Sequence, residues 1–259
     1  MTHPMNYGNM KGFKDYQKKI LIACSMIEDE INNVFDRFGC RDIEIRWQER
    51  GHHNDPEKLN RVIQDEIDSA ETDGADLIML AYGLCGNGAA GWHADHAVLA
   101  IPRFDDCCNI MLCTGKRMKR NLLEAGNMYL TKGWTRDEGA LLSMLERAQE
   151  KYGEKKGLRA MKLMFDSYTK VTVIDTGCYE TSPVEQYADR CAEILDLEKH
   201  IVRGSNVVLR KLITGAWDED IIVLKPGKKL TAGDFEFGGD ADPVPAINDL
   251  KGRNSRSFD

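Results

Sequence analysis

The amino-acid sequence predicts an α/β fold: one or more mostly parallel sheets with flanking helices. Short apolar runs of strand length, such as 18–24, 75–82 and 97–101, alternate with segments whose apolar residues recur at three- and four-residue spacing. This alternation is typical of parallel strands joined by right-handed crossovers. A length of 259 residues permits one large domain or two smaller ones. We favour two Rossmann-like halves with a functional site between them.

We expect four segments along the chain. A polar, loose N-terminal arm covers 1–17, and a first α/β half over 18–135 carries the cysteine motifs. A second α/β half covers 136–232. A tail rich in Gly, Asp, Pro and Asn covers 233–259, and this composition predicts mobility.

In the first half, a strand at 18–24 ends in Cys24. The helix that follows has an apolar face made of Met26, Ile27, Ile31, Val34, Phe35 and Phe38. A second strand alternates apolar and charged residues over 43–47. Asp55 can cap a helix that begins at Pro56, so that His53 lies in a strand-to-helix turn.

In the second half, an amphipathic helix is expected over 139–151 and a charged surface connection over 154–159. A strand at 170–175 precedes a helix that begins with a capping box of Ser182 and Glu185. A short helix follows 204–206, and a last strand covers 221–224.

Composition excludes several classes of protein. Eight cysteines in 259 residues, without an apolar signal segment at the start, argue against a disulfide scaffold. The apolar runs are of strand length, so we expect no membrane-spanning segment. A net charge of −7 without a basic stripe argues against a nucleic-acid partner. We expect a soluble, cytoplasmic protein.

Three cysteines stand where a strand passes into the next element: Cys24, Cys85 and Cys107. Because the ends of strands in an open α/β sheet face one crevice, we expect these side chains to converge there. Thiolates are soft ligands that suit Zn²⁺, iron–sulfur clusters and cobalt. No Cys-x-x-Cys occurs, so the fold must assemble any such site.

Two residues are candidates for a fourth metal ligand, namely His53 and Cys178. The alternative for His53 is a turn histidine that makes a backbone hydrogen bond. Cys40, Cys113 and Cys191 occupy apolar or helical positions, which favours a core role. Only one of Cys107 and Cys108 is expected to face the site, because adjacent side chains on an extended segment point in opposite directions.

Other residues of these loops are candidates for chemistry or binding. Asp106 and Arg103 are candidate catalytic residues that orient a ligand or transfer protons, although loop capping explains Asp106 equally well. Gly83, Gly86 and Gly88 would let the backbone approach a bound cofactor. Their spacing is not Gly-x-Gly-x-x-Gly, which disfavours a dinucleotide.

Five segments resemble the uncharacterised family called domain of unknown function 1638. They are the strand ending in Cys24, His-His-Asn-Asp-Pro at 52–56, Tyr-Gly-Leu-Cys-Gly-Asn-Gly at 82–88, Pro-Arg-Phe-Asp-Asp-Cys at 102–107 and Tyr-Leu-Thr-Lys-Gly-Trp at 129–134. The resemblance covers nearly all of 18–232. It implies metal or cluster binding through Cys24, Cys85 and Cys107. It also implies a link to anaerobic one-carbon metabolism, because such genes often lie beside corrinoid-dependent methyltransferases.

The resulting expectation is a cysteine-ligated metalloprotein that binds Zn²⁺ or a 4Fe-4S cluster. It would act on a small-molecule substrate by methyl transfer or redox chemistry at an open metal position. Any corrinoid would be carried by a partner, either a corrinoid protein or a methyltransferase. The alternative is a non-catalytic accessory protein that binds or metallates such a partner. A metal-free protein with reduced core cysteines is the third interpretation.

Overall fold

The computed structural model describes residues 12–50, 55–114, 123–136 and 140–236, and it confirms the α/β class. The first sheet has the strand order β2 (Ile43–Gln48), β1 (Lys19–Cys24), β3 (Leu77–Ala81), β4 (Val98–Pro102) and β8 (Ile221–Leu224). The second sheet consists of β5 (Asn127–Leu130), β6 (Lys170–Asp175) and β7 (Glu198–Arg203). All strand pairs are parallel except β4 with β8.

The helices flank both sheets. They are α1 (Glu28–Phe38), α2 (Pro56–Thr72), α3 (Cys107–Leu112), α4 (Lys132–Thr135), α5 (Leu141–Tyr152), α6 (Glu154–Met164), α7 (Ser182–Leu195) and α8 (Val207–Thr214). Short 3₁₀ turns occur at Phe13–Asp15, Ser25–Ile27 and Ala232–Phe235. No helix of the described segments is long and apolar enough to cross a bilayer.

The first sheet is buried on both faces, as its continuous apolar strands predict. Ile20 and Ile22 of β1 point to the face covered by α2, where they join Ile63 in one apolar cluster. Leu21 and Ala23 point to the opposite face, which α1 and α8 cover. This alternation follows from the two-residue period of a strand. Cys24, the last residue of β1, is half-buried at the end of these buried residues.

The second sheet buries one face against α5, α6 and α7. Val171 and Val173 of β6 pack there with Ala188 and Cys191 of α7. Ile174 and Val202 instead belong to the apolar cluster of the first sheet. The two sheets therefore share part of one core.

Each sheet contains strands from both sides of the expected boundary at residue 135. β5 precedes that boundary but pairs with β6, and β8 follows it but pairs with β4. The chain thus enters the second sheet, completes it and returns to the edge of the first. The division into halves at 18–135 and 136–232 stays a prediction. Residues 1–11 of the expected arm and 237–259 of the expected tail lie outside the described residues.

Three local predictions are wrong. Residues 154–159 are not a connection but begin α6, whose Met161 is buried in the core of the second sheet. The predicted capping box is absent, because Ser182 is the first residue of α7 and Thr181 occupies the cap position. Cys107 and Cys108 are not on an extended segment but open α3. In α6 the charged residues at the start hide the helical period, and α3 is too short to show one.

Candidate functional site

Three neighbouring strands of the first sheet end at a common edge. The connection that follows β1 leads to β2 on one side, and the connection that follows β3 leads to β4 on the other side. The topological switch point of the sheet therefore lies between β1 and β3. Crevices at such points are the usual ligand sites of open α/β sheets. Cys24 ends β1, Cys85 follows β3, and Cys107 follows β4 as the first residue of α3.

The side chains of Cys24, Cys85 and Cys107 all line one narrow cavity at this edge. Its volume is about 30 Å³, which is enough for a single water-sized group. Its other walls are formed by Met26, Glu49, Leu59, Ala81 and Tyr82. The structure therefore brings together the three cysteines that the sequence singled out.

Two backbone hydrogen bonds fix the Cys85 loop beside the Cys107 segment. The N–H of Leu84 donates to the carbonyl oxygen of Phe104 at 2.8 Å, and the N–H of Cys85 donates to that of Asp105 at 2.7 Å. Gly83 permits this approach, because a Cβ there would lie 2.6 Å from the Phe104 oxygen. Cys85 itself has a φ of 47°, a conformation that non-glycine residues rarely adopt.

Asp106 positions Cys107 through the start of α3. Its carboxylate accepts a hydrogen bond from the backbone N–H of Asn109 at 2.8 Å and another from the Asn109 side-chain amide at 3.1 Å. This is an N-cap, so the capping interpretation of Asp106 is confirmed. The helical turn also lets both Cys107 and Cys108 reach a second, larger cavity, while only Cys107 lines the narrow one.

The environment disfavours the thiolate forms of Cys85 and Cys107. Burial, followed by the nearby Cys107, raises the pKa of Cys85 far above its ordinary value. A hydrogen bond with the Cys108 side chain, followed by burial, raises the pKa of Cys107. Burial also raises the pKa of Tyr82, whose side chain shares the cavity. Thiolates would need a compensating positive charge here.

The donor chemistry of the narrow cavity suits a soft metal, but its arrangement is not a ligand shell. Among the described residues, no group of three or more His, Cys, Asp or Glu side chains is placed so that it could hold a metal ion. The candidate fourth ligand His53 lies outside the described residues. Its role stays a prediction.

The other candidate for a fourth ligand, Cys178, lies in the loop after β6. Its thiol donates to the carbonyl oxygen of Thr176 at 3.6 Å, and burial raises its pKa to about 11. Cys178 is not among the residues that line either cavity. The structure therefore does not bring it together with the three cysteines.

A larger cavity of about 410 Å³ opens between the two sheets. Cys85, Asp106, Cys107 and Cys108 line its first-sheet side. Its second-sheet side is mostly aromatic and aliphatic, with Tyr129, Trp134, Phe165, Tyr168 and Tyr187 among the lining residues. The volume falls within the range of small-molecule sites. Cys85 and Cys107 line both cavities and so connect them.

The remaining predicted site residues have different surroundings. Arg103 is half-buried and is not among the residues that line either cavity, and its backbone N–H donates to the Asp220 carbonyl at 2.8 Å. Gly86 lines the larger cavity. Gly88 packs against Leu59, where a Cβ would lie 2.8 Å from a Leu59 methyl carbon. A cofactor-binding role for Gly83, Gly86 and Gly88 stays a prediction.

The three cysteines that were assigned to the core have apolar surroundings. Cys113 and Cys191 are fully buried in apolar clusters, and Cys40 packs against the cluster of the first sheet. None of them lines either cavity.

Sequence reasoning missed two acidic residues near the site. Glu49 lines the narrow cavity with the three cysteines, and no sequence signal marks it. Glu30 of α1 is 1% exposed, accepts a hydrogen bond from the Thr176 hydroxyl at 3.1 Å, and has a pKa that burial raises to about 7. Its signal was available, because position 30 falls on the apolar stripe of Ile27, Ile31 and Val34.

A glycine contact ties the second sheet to the cysteine edge. A Cβ at Gly133 of α4 would lie 1.8 Å from the carbonyl oxygen of Met26, which belongs to the turn that follows Cys24. Only glycine permits this approach. It places the neighbouring Trp134 in the wall of the larger cavity.

Comparison with known proteins identifies a family and no activity. Residues 47–213 match the family described as "Protein of unknown function (DUF1638)", which is well over half of the chain. The matched range contains Cys85 and Cys107 and begins after Cys24. No curated protein and no solved structure matches the chain.

Proposed function

The chain belongs to the DUF1638 family, and on this premise we propose that it is a metalloprotein whose Cys24, Cys85 and Cys107 bind Zn²⁺ or a 4Fe-4S cluster. The observation that carries the proposal is the convergence of these three side chains on one cavity at the switch point of the sheet. Their soft donor atoms distinguish this cavity from an ordinary apolar gap. The remaining coordination position would be open to a substrate.

Metal binding at the three cysteines requires the thiols to move and to lose their protons. The three thiols would have to move toward one another, since the described residues form no ligand shell. They would also have to lose protons, which the raised pKa values of Cys85 and Cys107 oppose. A bound cation reverses this electrostatic balance, because metal ligands bind in the deprotonated form.

The substrate would occupy the larger cavity. Because Cys85 and Cys107 line both cavities, a group held by the cysteines would face a molecule bound between the sheets. Asp106 lines the same wall and is the candidate for proton transfer. The metal would supply Lewis acidity or redox capacity, consistent with methyl transfer or redox chemistry. The link to anaerobic, corrinoid-dependent metabolism rests on the family resemblance, with the corrinoid carried by a partner.

One observation favours a second candidate, an accessory protein that binds or metallates a corrinoid methyltransferase. The described residues form no preformed ligand shell at the three cysteines, and such a site suits transient metal binding. An enzyme would instead retain its metal during turnover. The rate at which a chelator removes bound metal separates the candidates: slow removal favours the enzyme and rapid removal favours delivery.

Anaerobic purification followed by metal analysis and an absorption spectrum tests the proposal. Cys85→Ser should abolish bound metal, because serine is a poor substitute for a soft thiolate. Cys191→Ser is the matched control, since Cys191 is buried in the α7 cluster and lines neither cavity. Equal metal content in the two variants, or a metal-free wild-type protein, would contradict the proposal.

A further inference from the structure

The larger cavity has a predominantly aromatic wall on its second-sheet side. Five aromatic side chains line it, and they come from four parts of the chain: Tyr129 of β5, Trp134 of α4, Phe165 and Tyr168 after α6, and Tyr187 of α7. The ring centroids of Phe165 and Tyr168 are 5.5 Å apart, with the planes tilted by 59°. Aromatic faces carry partial negative charge and attract cations.

Two of these rings are held by the backbone. The hydroxyl of Tyr187 accepts a hydrogen bond from the N–H of Leu142 at 3.0 Å, and that of Tyr129 accepts one from the N–H of Glu124 at 3.2 Å. Their positions therefore do not depend on a ligand. An aromatic wall that is already ordered loses little conformational entropy when a ligand binds.

The described wall of the larger cavity carries one carboxyl group and no basic residue. Within the described segments, no Lys, Arg or His lines it, and Asp106 is the only carboxylate that does. Among the described lining residues, an anionic ligand would find no counter-charge, and burying an unpaired charge is costly. A neutral or cationic ligand avoids this cost, and a cation gains from both the carboxylate and the rings.

We infer that this cavity binds a small organic cation whose nitrogen carries alkyl groups in place of hydrogens, a quaternary ammonium compound. Alkyl groups remove the N–H donors that a mostly apolar wall would leave unpaired. They also spread the charge over a surface that packs against several rings. The inference rests on the proposed function in one respect: it takes the larger cavity as the substrate site.

Calorimetric titration of the full-length protein tests the inference with three compounds. Choline and benzyltrimethylammonium are the cations, and 3,3-dimethyl-1-butanol, here called dimethylbutanol, is the neutral compound in which carbon replaces the choline nitrogen. Choline should bind about tenfold more tightly than dimethylbutanol, because the two have nearly the same shape and differ in charge. Equal or tighter binding of the neutral compound would overturn the inference. So would a failure of both cations to bind.

Variants assign the binding to the cavity. Trp134→Leu and Tyr168→Leu should each weaken choline binding about tenfold. Asp106→Asn should weaken the binding of the two cations but not that of dimethylbutanol. It should keep the N-cap, because Asn caps helices as well as Asp does. Tyr152→Leu is the matched control, since Tyr152 is 52% exposed and lies outside the cavity. Equal effects of Tyr152→Leu and Trp134→Leu would overturn the assignment.

Metal content, measured in the same preparations, separates this inference from the proposed function. Cys24→Ser should lose metal and still bind choline, because Cys24 lines the narrow cavity and not the larger one. Metal without choline binding would refute the cation inference alone. Choline binding without metal in the wild-type protein would refute the metal proposal alone.

Discussion

The two sheets contribute different chemistry to the space between them. The first sheet supplies three thiols and a carboxylate from segments that follow its parallel strands, each held by backbone hydrogen bonds or a helix cap. The second supplies aromatic rings from scattered elements and no described charged group. Reactive groups thus follow from strand order, whereas the ligand wall follows from how the sheets pack. Changes at the contacts between the sheets should separate these two contributions.

The largest effect is expected at the glycine that joins the sheets. Gly133→Ala places a carbon 1.8 Å from the Met26 carbonyl oxygen, and backbone cannot move aside as a flexible side chain does. We expect a loss of about 3 kcal/mol in the free energy of unfolding, measured with urea. Gly233→Ala is the control, because the nearest atom to its added Cβ is 3.7 Å away. Similar stability of both variants would show that this contact does not hold the sheets together.

The buried carboxyl between the sheets should make stability depend on pH. Burial raises the pKa of Glu30 from 4.5 to about 7, so the folded state binds the proton more tightly than the unfolded state. The stabilisation that comes from protonated Glu30 is therefore fully present below the unfolded pKa of 4.5, and it is lost as the pH rises through about 7. The charged form is disfavoured in the fold.

Glu30→Gln removes that titration. We expect the variant to be more stable than the wild type by about 2 to 3 kcal/mol at about pH 8, and close to it at about pH 5. Urea unfolding of both proteins at both pH values measures the difference. The nearby groups that also act on the pKa of Glu30 are Asp29, Lys132 and Thr176. A stability difference that does not change with pH would contradict the assignment.

A smaller effect is expected within the first sheet, at the cap of α3. Asp106→Ala removes the acceptor for the Asn109 N–H and should cost about 1 kcal/mol, whereas Asp106→Asn should cost only a few tenths. Thermal unfolding of the pair measures this. If both variants lost the same stability, the charge of Asp106 and not its capping bond would matter for folding.

The smallest effect concerns an ion pair between α4 and α1. The Lys132 ammonium lies 2.6 Å from a carboxylate oxygen of Asp29, and the two side chains are 33% and 17% exposed. Partial exposure limits such pairs, so Lys132→Met should cost less than about 1 kcal/mol at low salt, and less still at high salt. Urea unfolding at two salt concentrations tests this. A cost near that of Gly133→Ala would place the ion pair, and not close packing, at the centre of the contact between the sheets.

Much of the first sheet and its edge could be predicted from the sequence. The strand-length apolar runs and the amphipathic helices between them identified β1, β3 and β4, and parallel strand ends must share an edge. That geometry led to Cys24, Cys85 and Cys107. β5 and β7 were not predicted, because Asn127–Leu130 is short and Glu198–Arg203 is only partly buried and mixes charged with apolar residues.

The sequence by itself determined the α/β class and which cysteines stand at strand ends, because local periodicity and chain order are enough for both. Only the tertiary structure decided that β8 returns to the first sheet, that Glu30 is buried, and that five aromatic side chains face the thiols across one cavity. Those features depend on contacts between residues distant in sequence. Hydrophobic burial is non-directional. The sequence therefore indicates that an apolar ring will be buried, but it does not indicate which element will cover it.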